Sequence, residues 1–171
     1  MIHDIGRIGI PDAVLFKPSR LTPHERTIVE QHPLIAVRIL DKMSFLEQEI
    51  SIVRAHHEKW NGRGYPDGIA GTEIPLGARI LSVADAFDAM TSSRSYHKSR
   101  TPVEAIKILV DSSGYDFDPQ IVKTMVSWFE RVRDQLDIAD GITPQDLLGT
   151  LKPLDRRAKL ELAADVCTTE G

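Results

Sequence analysis

One helix N-terminal motif occurs twice in the chain, and it limits the possible folds more than any other feature of the sequence. Thr22 and Thr101 each stand directly before a proline and three residues before a glutamate. A threonine cap, proline at the first helical position and glutamate at the N3 position together mark a helix N-terminus. Asp118 precedes Pro119 in a similar way, with aspartate as the cap. The sequence therefore predicts helices beginning at these three places, the first running to about Gln31.

Apolar spacing predicts two further helices. Apolar residues recur at intervals of three and four in two runs, which are Leu46, Ile50 and Val53 followed by His57, and Leu76, Ile80, Ala84, Phe87 and Met90. Such spacing places the side chains on one face of a helix. No run of alternating apolar and polar residues indicates a strand, and no internal repeat is present. The sequence predicts an all-α fold, a bundle of helices.

Residues 59–77 interrupt this helical pattern. They contain five glycines and two prolines, a composition that prevents regular secondary structure. We expect a long ordered loop here, and loops of this length are often functional.

Length and composition indicate one ordinary globular domain. The chain has 171 residues, of which 42% are hydrophobic and 27% charged. Cys167 is the only cysteine, so no internal disulfide forms, and a cytoplasmic location is expected. No apolar run reaches 18 residues and no signal peptide pattern is present. The net charge of -4 disfavours nucleic-acid binding but leaves a phosphate substrate open.

The C-terminal part of the chain differs in composition from the rest. It becomes polar and charged after about residue 140, with one weak helix start at Thr143. We expect a domain over residues 1–140 and a C-terminal extension over residues 141–171. The final 20 residues are expected to be a flexible tail.

Four histidines and one aspartate are candidate ligands of a metal site. His3 and Asp4 are adjacent, His32 precedes a proline, and His56 and His57 are adjacent. Imidazole and carboxylate ligands suit first-row transition metals such as iron and manganese. Other interpretations remain open at this level, because the first pair lies at the terminus and His32 is compatible with a helix end. The adjacent pair indicates a ligand set more strongly, since two buried imidazoles without partners cost free energy.

Asp85 is a second kind of candidate ligand. It lies within an apolar helical run, and a buried carboxylate is rare unless it is paired or bound to a metal. Asp88 follows three residues later on the same face. Its expected role is to orient a neighbouring group or to cap a polar network.

Two segments resemble the signatures of one family. Residues 3–11, HDIGRIGIP, resemble the HD signature of the HD-GYP family, and residues 56–66, HHEKWNGRGYP, resemble its second signature. The resemblance continues past Asp85 to residues 94–96 and covers roughly residues 1–130. These signatures in this order are highly specific, so the chain is identified as similar to HD-GYP domains.

The resemblance implies an HD-type helical bundle with two or three divalent metal ions, commonly iron or manganese. The positions that match the family's metal ligands are His3, Asp4, His32, His56, His57 and Asp85. Arg7 stands where the family usually has a lysine close to the substrate phosphate, and Arg94 and Lys98 fall in the phosphate-contacting stretch. The loop that carries Tyr65 is linked in the family to substrate fit and to diguanylate cyclase (GGDEF) partners.

The implied activity is hydrolysis of cyclic di-GMP to pGpG, GMP or both. The metal ions would activate a water, Asp4 and Arg7 are assigned to catalysis, and Arg94 and Lys98 would join Arg7 in neutralising charge on the phosphoryl group. Two alternatives stay open. One is hydrolysis of another cyclic dinucleotide, and the other is a remnant without activity that binds nucleotide or a diguanylate cyclase.

The chain departs from the family pattern at three places. The HD signature begins at residue 3, whereas the family has a helical segment before it that supplies a further ligand. We therefore expect a truncated domain with weaker metal binding and an apolar face open to homodimer formation. Arg7 replaces lysine, and its guanidinium stays protonated, so it stabilises charge without donating a proton. Asn61 replaces the usual aspartate, with a modest expected effect.

Overall fold

The computed structural model of the protein describes residues 2–92 and 99–133. The chain divides into two compact units, Met1–Ser82 and Val83–Gly171. The expected domain limit at residue 140, the helix start at Thr143 and the C-terminal extension lie outside the described residues.

The first unit is built from short helices. A 3-10 helix over Ile2–Gly9 is followed by α1 (Asp12–Leu15), α2 (Pro23–Val29), α3 (His32–Leu40), a 3-10 turn (Ser44–Leu46), α4 (Glu47–Ala55) and a 3-10 turn (Gly71–Glu73). Helix α5 (Leu76–Thr91) begins in this unit and ends in the second, which continues with α6 (Pro102–Asp111) and α7 (Pro119–Arg133). Residues 2–92 and 99–133 contain no β-strand. The predicted all-α fold is confirmed.

The predicted helix starts are present with their caps. The Glu25 amide donates to Thr22 Oγ1 at 3.3 Å, and the Thr22 amide donates to Glu25 Oε2 at 2.7 Å. The same reciprocal pair caps α6 through Thr101. At the start of α7 the Gln120 amide donates to Asp118 Oδ1 at 2.8 Å. These bonds satisfy amides that a helix N-terminus leaves without partners.

Helix α3 was not predicted, and His32, which the sequence also allowed to be a helix-end residue, lies at its N-terminal end. His32 is the first residue of α3, and Pro33 follows it. Proline is tolerated there because the first amides of a helix have no intrahelical partner. Only two residues separate α2 from α3, so α2 ends at Val29, two residues before the predicted limit.

The 3-10 helix Ile2–Gly9 packs against α3 in the first unit. Gly6 makes this close approach possible, because a side-chain carbon there would lie 2.6 Å from the Ala36 amide nitrogen and closer still to the His32 carbonyl oxygen. Ala36, Leu40 and Val53 form the buried core between α3 and α4. The residues that begin the chain are thereby fixed beside the start of α3.

The second unit has its own core. Eight buried residues from its three helices pack together, namely Val83, Val103, Ile106, Leu109, Val110, Val122, Val126 and Phe129. Within residues 2–92 and 99–133, no helix has the length and apolar character needed to cross a membrane.

Candidate metal centre

Four side chains of the first unit converge on one point. Asp4, His32, His56 and His57 each offer one ligand atom, and these atoms all lie within 4.8 Å of one another. His3 adjoins them, with its ring centroid 5.1 Å from that of His56 and its Nε2 3.7 Å from Asp4 Oδ2. Three chain segments supply the group, namely the first 3-10 helix, the start of α3 and the residues that follow α4. The structure therefore brings together five of the six predicted ligands.

Hydrogen bonds define the tautomers of two of these imidazoles. The Nδ1 of His32 lies 2.8 Å from the Val29 carbonyl oxygen, and the Nδ1 of His56 lies 2.6 Å from the Val53 carbonyl oxygen. A carbonyl only accepts, so each Nδ1 carries the proton and each Nε2 keeps its lone pair. The two Nε2 atoms are 3.4 Å apart, and neither has a proton to donate to the other. Facing lone pairs of this kind favour a shared cation, and a metal-bound histidine usually donates its other N–H in this way.

His57 adds a third nitrogen. Its Nε2 is buried and has no hydrogen-bond partner, a situation that costs about 1–3 kcal/mol when nothing compensates it. Coordination to a metal would satisfy this atom. The donor set of imidazole nitrogens and one carboxylate therefore fits a divalent transition metal.

Burial keeps these imidazoles neutral, which is the form that binds metals. Loss of solvation lowers the pKa of His32 and of His56, and the positive charge of Arg7 lowers the pKa of His32 further. The same burial lowers the pKa of His57 to about 3. Asp4 is the acidic member of the group, and its Oδ1 lies 2.8 Å from Arg7 Nε. That contact is an ion pair without the geometry of a directed hydrogen bond, since both atoms lack a hydrogen-bond partner.

Specific hydrogen bonds fold the glycine-rich loop back onto α4 and onto Glu58, which precedes the loop. Glu58 Oε1 accepts from the amides of Asp67 and Gly68 at 2.6 and 3.0 Å. Burial raises the pKa of Glu58. The Arg54 guanidinium donates to both carboxylate oxygens of Asp67, at 2.7 and 2.6 Å. The Tyr65 ring of this loop stacks on His57, with centroids 4.9 Å apart and planes inclined by 24°.

The remaining predicted site residues are placed as follows. Arg7 is half-exposed beside Asp4. Asp85 lies half-buried on α5 in the second unit, and its role as a ligand stays a prediction. Arg94 and Lys98 lie outside the described residues.

Sequence reasoning left Glu58 without a role, although it stands in the second signature. Glu58 is a carboxylate directly before a glycine-rich segment whose amides lack regular partners. From that position, Glu58 could have been predicted to accept hydrogen bonds from the loop amides.

Comparison with known proteins identifies the family. A model of the HD domain family matches residues 1–121. A cyclic di-GMP phosphodiesterase of Vibrio cholerae is 41% identical over 137 residues, which cover 76% of this chain and 28% of that protein. The 3'3'-cGAMP-specific phosphodiesterase 2 of Vibrio cholerae is 34% identical over 142 residues, covering 81% of this chain and 27% of that protein. The chain thus spans little more than a quarter of the length of either relative.

A solved structure supports the same fold. The crystal structure of a cyclic GMP-AMP specific phosphodiesterase from Vibrio cholerae has a TM-score of 0.57 and 22% sequence identity, over 94% of this chain and 45% of that chain. At this identity the likeness concerns the fold alone. The family model covers 121 of the 171 residues, and the match includes both signature segments. The chain therefore belongs to the HD domain family, and the HD-GYP resemblance of its two signatures is confirmed.

Proposed function

We propose that the chain is a metal-dependent phosphodiesterase that hydrolyses cyclic di-GMP. The observation that carries the proposal is the convergence of His32 Nε2, His56 Nε2 and the unpartnered His57 Nε2. Two imidazole nitrogens with lone pairs and a third without a hydrogen-bond partner, beside a carboxylate, are suited to a metal site. Relatives at about 40% identity whose names state this activity support the choice of substrate.

Two or three divalent ions, iron or manganese, suit this donor set. The residues proposed to hold them are His3, Asp4, His32, His56, His57 and Asp85. When bound, such ions supply an activated water and polarise a phosphoryl oxygen.

The chain's own residues would bind and orient the diester. Arg7 is half-exposed and always protonated, so its guanidinium can donate two parallel hydrogen bonds to the oxygens of a phosphoryl group. Asp4 positions this guanidinium through the ion pair of 2.8 Å. Tyr65 is held on His57 and limits the space on that side of the substrate. We assign Arg94 and Lys98 to the same neutralisation of phosphoryl charge.

Three further roles complete the proposal. The loop around Tyr65 exposes Arg63, Asp67 and Gly68 at the surface, and we propose that it contacts diguanylate cyclase partners. Homodimer formation and a cytoplasmic location are also proposed, as the sequence predicted.

The proposal is tested with the chain purified without chelator and supplied with Mn²⁺. Cyclic di-GMP is added, and pGpG and GMP are separated by liquid chromatography. His57→Ala should lower the turnover by on the order of 100-fold or more, because it removes a ligand. His24→Ala is the matched control, since His24 is an exposed histidine on α2 outside the cluster. Equal turnover in the two variants, or none in the unaltered chain, contradicts the proposal.

A second candidate substrate is 3'3'-cGAMP, because a relative at 34% identity is named for it. Measuring kcat/KM for both dinucleotides with the same protein decides between them. If the chain binds these dinucleotides but hydrolyses neither, the result would support the alternative that it is an inactive remnant acting as an adaptor.

A further inference from the structure

A cleft of about 460 Å³ adjoins the proposed metal centre. Six residues line it, namely Arg20, Leu21, Arg26, Val29, Glu30 and Tyr65. Tyr65 belongs to both places, because its ring stacks on His57 and also lines the cleft. The volume lies within the range of about 300–1,000 Å³ that small-molecule sites occupy. A ligand held by the metal centre can therefore extend into this cleft.

The polar groups of the cleft include one carboxylate. Glu30 closes the C-terminal end of α2, and its Oε1 accepts from Arg26 Nε at 2.9 Å. The Arg26 side chain is 73% exposed, whereas that of Glu30 is 29% exposed. A carboxylate has about four acceptor positions and no proton to donate. After the bond to Arg26, Glu30 therefore still has acceptor positions for a ligand that carries N–H groups.

We propose that this cleft binds a guanine base and that Glu30 selects it over adenine. The inference rests on the proposed function, because a cyclic dinucleotide held by its phosphate brings a base to this place. The Watson–Crick edge of guanine presents two adjacent donors, N1–H and N2–H, which match two carboxylate oxygens. Adenine presents a lone pair at N1, which a carboxylate repels. Enzymes that bind single bases read them through this edge and through ring contacts.

The other lining residues suit a base better than a second phosphate. Leu21 and Val29 offer apolar surface and Tyr65 offers an aromatic ring, and a base can use both. Glu30 offsets the charge of Arg26, so the charged lining residues Arg20, Arg26 and Glu30 together carry a net charge of only +1. Arg20 supplies a donor of the kind that pairs with the guanine O6 and N7 acceptors.

Binding of 5'-GMP and 5'-AMP to the Mn²⁺-loaded chain, measured by calorimetry, tests the proposal. The unaltered chain should bind GMP at least about tenfold more tightly than AMP. Glu30→Gln keeps the side-chain shape but replaces one acceptor by a donor, so GMP affinity should fall roughly 10- to 100-fold and the preference should disappear. Arg26→Gln is the matched control. It breaks the same ion pair, leaves the carboxylate in place and should keep the preference for GMP.

Three results overturn the assignment of Glu30. They are equal affinity of the unaltered chain for the two nucleotides, a retained preference in Glu30→Gln, and the same loss of preference in Arg26→Gln. Hydrolysis of bis(p-nitrophenyl) phosphate by the same proteins tests the metal centre separately, because this diester has no base. If the unaltered chain fails that assay, the proposed function fails, while nucleotide binding still decides what the cleft recognises.

Discussion

Replacing Gly6 by alanine should separate the HD signature from α3. The added carbon would stand 2.6 Å from the Ala36 amide nitrogen and 2.9 Å from the His32 carbonyl carbon, whereas carbon contacts are most favourable at about 3.5–4.0 Å. Backbone atoms cannot turn aside as a side chain can. The 3-10 helix and α3 must therefore move apart by about 1 Å, a distance set by the shortfall in these contacts.

A shift of this size affects both folding and metal binding. Overpacking a tight contact costs about 1–3 kcal/mol in the free energy of unfolding. Two ligand atoms on one ion at 2.0–2.2 Å are at most about 4.4 Å apart, and Asp4 Oδ1 now lies 3.7 Å from His32 Nε2. Moving Asp4 away from His32 by about 1 Å breaks this set. Mn²⁺ affinity should fall by on the order of 10- to 100-fold.

Urea unfolding of the metal-free protein and calorimetric titration with Mn²⁺ measure the two effects. Gly9→Ala is the control on the same 3-10 helix, because its added carbon meets only side-chain atoms of Ile35, at 3.0 Å. That side chain can rearrange, so the control should stay within about 1 kcal/mol of the unaltered chain. If Gly6→Ala matches Gly9→Ala in both measurements, Gly6 does not set the distance between the HD signature and His32.

Three further predictions follow from single side chains. The pKa of His57 is 6.5 in an open chain and about 3 when folded, so the unfolded state takes up the proton first, and stability is lost as pH falls below 6.5. At pH 5 the loss of stability is about 2 kcal/mol. If lowering the pH reduces the unfolding midpoint of the metal-free protein equally in the unaltered chain and in His57→Asn, His57 is not the cause. Glu58→Ala leaves two loop amides without an acceptor and should cost about 2–4 kcal/mol, whereas Glu58→Gln keeps an acceptor and should cost less than half as much; equal costs in urea unfolding exclude this role. Asp85→Ala should lower the metal content measured by mass spectrometry, while Asp88→Ala should not, and unchanged content in the first variant removes Asp85 from the ligand set.

Local chemistry was enough to predict several helices. Thr22 and Thr101 begin their helices with both halves of the capping box, because the hydrogen bonds involved join residues only three positions apart. The spacing that predicted α5 also held, since Leu76–Thr91 is helical throughout. Such signals depend on neighbouring residues alone, so the sequence is enough to predict the helices that they mark.

Helix α3 and the geometry of the site required more than local signals. His32 begins α3 only two residues after α2 ends, so the sequence shows no break at which a new helix is expected. The approach of Gly6 to the His32 carbonyl joins residues far apart in the chain, and no periodic pattern encodes it. The family resemblance supplied the set of metal ligands. The Val29 and Val53 carbonyls that fix two tautomers lie only three residues before their rings, but the approach of those two rings joins residues 24 positions apart.

The metal content of the chain tests the central claim most directly. The unaltered chain, His57→Ala and His24→Ala are each equilibrated with Mn²⁺, dialysed together and analysed for bound metal by mass spectrometry. The account predicts at least one manganese ion per chain in the unaltered protein and in His24→Ala, and a large loss in His57→Ala while its circular dichroism stays helical. Absence of bound metal from the unaltered chain, or equal metal in all three proteins, would contradict the assignment of these histidines as a metal centre.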